Sequence, residues 1–131
     1  MTSSISFITI PVKDIKKSSD FYKIVFDWTK DPKSTEEVHF FKHSNATFAL
    51  CSEPYFKSIL GLSKEACLSN NSTLFSVNFQ DEDAVHRVFL KAIESGAAVV
   101  KTPAITEWKS FAGFFKAPDG VSWEVACKGA L

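Results

Sequence analysis

Residues 5–14, Ile-Ser-Phe-Ile-Thr-Ile-Pro-Val-Lys-Asp, decide the fold, because the same arrangement returns at residues 74–81, Leu-Phe-Ser-Val-Asn-Phe-Gln-Asp. Each run of β-branched and aromatic residues reads as a strand. Each ends near an Asp that stands where a helix N-cap belongs. Behind Asp14, Ile15, Ser18, Phe21, Tyr22 and Val25 recur at helical spacing. Behind Asp81, Val85, Val88, Phe89, Ala92 and Ile93 make a second stripe, and Gly96 is a natural C-terminal stop. From Asp14 to Asp81 the repeat is 67 residues.

Working outward, each helix is followed by three short strand signals. After the first helix these are Trp28-Thr29, residues 38–42 and residues 47–51, the last two joined by a tight Ser44-Asn45 turn. After the second they are residues 97–101, 111–116 and 121–127, the last two joined through Ala117-Pro118-Asp119-Gly120. Each half is therefore expected to be βαβββ. The expected fold is α+β, a single domain over residues 1–131. Module one covers 1–53, a linker with a short helix covers 54–72, and module two covers 73–131. One module leaves a sheet face uncovered by its helix. Pairing two modules is expected to form a half-barrel with a central cavity and the helices outside.

Composition agrees with a self-sufficient core. The 131 residues are 45% hydrophobic and 23% charged, which excludes disorder and collagen-like or coiled-coil chains. The 13 Phe fit either a large core or an apolar cavity. Lys+Arg and Asp+Glu both number 15, so no nucleic-acid-binding or anionic-membrane surface is expected. No apolar run approaches the roughly 18 residues of a membrane span, and the first residues lack the pattern of a signal peptide. Three Cys without CxxC spacing (Cys51, Cys67, Cys127) point to reduced thiols and a cytoplasmic location. No GxGxxG, P-loop, GxSxG, HExxH or EF-hand pattern is present.

Two segments carry a resemblance: Ile10-Pro-Val-Lys-Asp14 with Ser18, Phe21 and Tyr22, and Gly113-Phe-Phe-Lys-Ala-Pro-Asp-Gly120 with Trp123-Glu124-Val125. The chain resembles, over nearly its whole length, the vicinal oxygen chelate superfamily of glyoxalases, bleomycin-resistance proteins and ring-cleaving dioxygenases. The resemblance implies two βαβββ modules and a homodimer. In metal-dependent members, one cavity-facing position on each of four strands supplies a His, Gln or Glu. Carried over by position, these are Phe7, Ala49, Leu74 and Glu124. Three of the four are hydrocarbon, and a divalent ion needs at least three donors. No metal and no cofactor is therefore expected, and metal-dependent glyoxalase or dioxygenase chemistry is disfavoured.

Strand alternation assigns a common face. Phe7, Thr9 and Pro11 are expected inward, with Val38, Phe40 and Lys42, and with Thr47, Ala49 and Cys51. In the second half, Leu74, Ser76 and Asn78 join Ser122, Glu124 and Ala126, with Gly113 and Phe115 expected to flank Glu124. This is the recipe of a small-molecule site. The expected ligand contacts are Phe7, Phe40, Ala49, Cys51, Leu74, Phe115 and Glu124, with Trp108 and Phe111 at the cavity mouth as a lid or as packing.

Glu124 has three readings: a group that orients a cationic or donor-rich ligand, a general base, or an acid paired with Lys42, another side chain or water. His39 and His43 stand about 13 Å apart along an extended strand, too far to share an ion. His86 is expected on a solvent face, and Cys51 as a small core residue. The expected function is metal-independent binding of a small, largely apolar or aromatic molecule, cationic ones included, as in drug-binding resistance proteins. The alternative is a glyoxalase-related lyase or isomerase with Glu124 as base. A cavity filled by its own side chains is the third reading.

Overall fold

Both strand–helix repeats form. In the computed structural model, which describes residues 2–128, β1 (Phe7–Val12) leads into α1 (Ile15–Phe26), and β4 (Leu74–Asn78) leads into α3 (Glu82–Glu94). The two aspartates cap as the sequence predicts. The Asp14 carboxylate accepts from the Lys17 amide at 3.0 Å, and the Asp81 carboxylate from the Ala84 amide at 2.8 Å. Each satisfies one of the amides that the first helical turn leaves without an intrahelical partner. The remaining strands are β2 (Val38–Lys42), β3 (Thr47–Ser52), β5 (Ala98–Ile105), β6 (Phe111–Lys116) and β7 (Ser122–Cys127). The predicted short helix after β3 is α2 (Glu53–Leu60), which ends at Gly61 with a φ of 66°. Only glycine enters that left-handed region without steric cost.

The chain divides into two compact units. The first comprises the chain up to Lys23 together with Asp27–Ser69; the second comprises Ile24–Phe26 and the chain from Asn70 onward. The first unit holds a three-stranded sheet in the order β1-β3-β2, and the second a four-stranded sheet in the order β4-β7-β6-β5. In both, the strand before the helix lies parallel to the last strand of the module, and the other pairs are antiparallel. The second unit is the expected βαβββ. In the first, the strand expected at Trp28-Thr29 does not form. Trp28 instead packs its ring against Tyr22, Phe41 and Phe48 at 5.5–5.8 Å. The irregular segment after it is tied to β2 by Asp31 N donating to the Phe40 carbonyl and Phe40 N donating to Ser34 Oγ. The half-buried indole gains this aromatic packing where the sequence pattern suggested a strand.

Alternation sorts each sheet into two faces. In the first unit Ile10, Val12, Phe41, Phe48 and Leu50 are buried, and Phe48 meets Tyr22 of α1 at 5.6 Å. In the second, Phe115 and Trp123 are buried against Phe26, Phe75 and Phe89. Gly113 is required on that face. A Cβ there would stand 2.9 Å from both Phe89 Cδ1 and Pro103 Cγ, so α3 rests on β6 only because this residue has no side chain. Among the described residues, no helix is long and apolar enough to cross a membrane.

Candidate functional site

The opposite face of each sheet carries most of the predicted site residues. In the first unit, strand register aligns Phe7 with Thr47 and Lys42, Thr9 with Ala49 and Phe40, and Pro11 with Cys51 and Val38. This is the face that alternation and the two-residue Ser44-Asn45 turn predict. His43 N donates to the Ala46 carbonyl at 3.0 Å to close that turn. Phe7 and Phe40 meet edge to face at 6.1 Å across β3. Phe7 is 58% exposed, whereas Ala49 and Cys51 are almost fully covered. The two small residues form the floor, and the rings offer the accessible apolar surface. Burial pushes the Cys51 thiol up, with Glu37 adding to it, so the sulfur stays protonated and inert. Lys42 pairs with Asp31 at 3.2 Å.

In the second unit, register aligns Leu74 with Ser122 and Lys116, Ser76 with Glu124 and Phe114, and Asn78 with Ala126 and Ala112. The Ser76 hydroxyl donates to Glu124 Oε1 at 2.6 Å. This bond holds one of the two carboxylate oxygens. Leu74 is 56% exposed on the same face. The partner of Glu124 is thus Ser76, a residue the sequence places on this face without assigning it that role.

Two expectations are corrected here. Phe115 and Gly113 do not flank Glu124. The residue opposite Glu124 is Phe114, while Phe115 lies opposite Trp123 and Gly113 opposite Val125. The reason is the length of the β6–β7 turn. A four-residue loop over 117–120 would pair Lys116 with Val121. The structure closes the loop with Ala117 N donating to the Val121 carbonyl and pairs Lys116 with Ser122. That one-residue change of register moves every β6 side chain to the other face. Phe111 follows the same parity: it is buried on the helix-covered face, with its ring 5.2 Å from that of His86. Trp108, by contrast, is 68% exposed at the tip of the β5–β6 hairpin. That hairpin is closed by Thr106 N to the Ser110 carbonyl, with Lys109 in a left-handed conformation.

The four positions that the resemblance singles out occupy matching places in the two sheets. In each, the residue on the strand before the helix sits one pair-step from the residue on the last strand: Phe7 beside the Thr47 that precedes Ala49, and Leu74 beside the Ser122 that precedes Glu124. Their side chains offer phenyl, methyl, isobutyl and a single carboxylate, a donor set that does not fit a divalent ion. Among the described residues, no group of three or more His, Cys, Asp or Glu comes together.

Solved structures of similar fold include a glyoxalase-related enzyme from Fulvimarina pelagi, with TM-score 0.88 and 19% identity over 96% of this chain and 88% of that one. A glyoxalase/bleomycin resistance protein/dioxygenase family enzyme from Burkholderia phytofirmans gives TM-score 0.86 and 17% identity over 95% and 98%. A lactoylglutathione lyase from Agrobacterium tumefaciens gives 0.70 and 18% over 97% and 95%. At these identities the likeness is one of fold. No curated protein sequence matches the chain at a significant level. The model of the Glyoxalase/Bleomycin resistance protein/Dioxygenase superfamily matches residues 4–125, and the chain belongs to that superfamily.

Proposed function

We propose that this protein binds a small, largely apolar or aromatic molecule, cationic ones included, without a metal ion. The observation that carries this reading is the pairing of Glu124 Oε1 with Ser76 Oγ beside Leu74 and Phe114, with hydrocarbon at the other three positions where relatives place donors. An oriented carboxylate amid apolar surface binds an ammonium or donor-rich head while its neighbours hold the apolar body. Phe7 and Phe40 offer surface of the same kind in the first unit. The free Cys51, Cys67 and Cys127 suit the reducing cytoplasm, and a homodimer is the expected assembly.

The test is thermal stabilisation by benzylamine, a planar aromatic ammonium, in chelator-treated protein. Binding to the native state raises the melting temperature as ligand concentration passes the dissociation constant. The shift is expected without added metal and is expected to be lost in Glu124→Gln. Stabilisation that appears only after a divalent ion is added would overturn the metal-independent reading. The enzymatic alternative, a lyase or isomerase in which Glu124 removes a proton, is favoured instead if a bound ligand exchanges a carbon-bound proton with solvent deuterium in the native chain and not in Glu124→Gln.

A further inference from the structure

The middle row of the second sheet extends beyond Glu124. Across its four strands stand Ser76, Glu124, Phe114 and Lys101, each opposite the next in the register. Directly opposite residues of neighbouring strands project from the same face. The row therefore presents an acid, an aromatic ring and a base in sequence. Adjacent strands are about 4.8 Å apart, so the acid and the base rise from backbones about 10 Å apart with a phenyl group between them.

The partners of these charges decide what the row can take. Lys116, the other lysine on this face, donates to Asn71 Oδ1 at 3.3 Å. Lys101 is exposed and, among the described residues, has neither an ion pair nor a hydrogen-bonding side-chain partner. Among the described residues, Glu124 has its serine and no cation. The two charges do not neutralise each other: at about 10 Å in water their attraction is weak and comparable salt screens it. A rigid ligand of matching length with charges at both ends would engage both, and its body would lie on Phe114.

We infer that the Glu124–Phe114–Lys101 row binds an aromatic zwitterion, with its ammonium on Glu124, its ring on Phe114 and its carboxylate on Lys101. The inference rests on the ligand-binding reading above and narrows it to a substrate class. A purely cationic ligand leaves Lys101 unused and close to a like charge. A purely anionic one meets Glu124. A register shift on either side of Lys101 sets this residue opposite Phe114, and such irregularities commonly redirect a side chain.

The experiment compares three probes by calorimetric titration of the whole protein: benzylamine, benzoate and 4-(aminomethyl)benzoate, which carries both charges across one ring. The zwitterion is expected to bind at least tenfold more tightly than benzylamine, about 1.4 kcal/mol, with benzoate weakest. In Lys101→Met the ratio of the two affinities is expected to fall to about one, and Lys101→Arg is expected to restore it. A ratio near one in the native chain, with benzylamine still bound through Glu124, overturns the zwitterion inference and leaves the ligand-binding reading standing. A tenfold ratio that survives Lys101→Met also overturns it, since the carboxylate would then be held elsewhere. If benzylamine does not bind the native chain at all, the broader reading fails and this inference fails with it.

Discussion

The two units begin from one plan and present different chemistry. In both, a strand leads through an aspartate cap into a helix, and the last strand returns parallel to the first. The open face of the first sheet is rings over small covered residues, Phe7 and Phe40 above Ala49 and Cys51. The open face of the second carries Ser76, Glu124, Phe114 and Lys101. The difference originates in the hairpins. A two-residue turn sets β2 against β3, so the predicted Phe40 stays on the open face. The longer β6–β7 turn places Phe114 there and sends Phe115 into the core. A duplicated backbone plan thus yields two unlike surfaces by changing one loop length and a few side chains.

The sharpest way to break this comparison is to truncate the two adjacent phenylalanines of β6. Phe115 is fully buried among Phe26, Phe89 and Trp123, so Phe115→Ala is expected to cost about 3–5 kcal/mol in denaturant unfolding. Phe114→Ala is expected to cost about 1 kcal/mol or less while weakening benzylamine binding. Equal or reversed costs would mean that the β6 register is the one a four-residue turn predicts. A smaller effect sharpens the likeness of the units. Asp14→Ala and Asp81→Ala each remove a cap with the same hydrogen-bond pattern, accepted from the amide three residues on, and each is expected to lower stability by about 1 kcal/mol. Asparagine at either position is expected to retain most of it.

The smallest effect separates the units by pH. His39 is buried on the helix-covered face of the first sheet, with Nδ1 unpartnered among the described residues. Burial, then Lys30 and Lys23, hold its imidazole below the ordinary range against the opposing Asp20. Burial does the same to His43 beside Trp28. A base whose folded-state pKa is depressed takes up its proton more readily when unfolded. The stability it supports is complete above the unfolded pKa, about 6.5, and is lost as pH falls from there toward the folded value. Melting midpoints are expected to drop between about pH 7.5 and pH 5.5. His39→Gln should flatten part of that slope, and the His43 share should remain. An unchanged slope would place the titrating group elsewhere.

Much of the second unit was legible because its signals are local. Capping by Asp81 and the apolar stripe behind it act within a few residues, and the structure agrees with both. The turn over 117–120 also forms, Gly120 N donating to the Ala117 carbonyl, but with the register of its flanking strands moved by one. The departures lie where a side chain had to choose between partners far apart in sequence. Trp28 packs onto Tyr22 and Phe48 instead of extending a strand. Glu124 takes Ser76, 48 residues away, and Lys42 takes Asp31 instead. Phe114 could have been found from the Phe115–Trp123 pair: where these two large apolar residues share a buried face, alternation puts their strand neighbours Phe114 and Glu124 together on the other.

By itself, then, the order of residues determined the two strand–helix repeats, their caps, the alternation of apolar and polar positions, and the hydrocarbon side chains at Phe7, Ala49 and Leu74. These follow from chain stereochemistry and side-chain composition, which need no distant partner. Which of two alternating sets on β6 faces the helices, which hydroxyl holds Glu124, and which lysine stands opposite Phe114 were decided only in three dimensions. A strand's two faces are equivalent until hydrogen-bond register and the burial of Phe115 and Trp123 make one of them the inside.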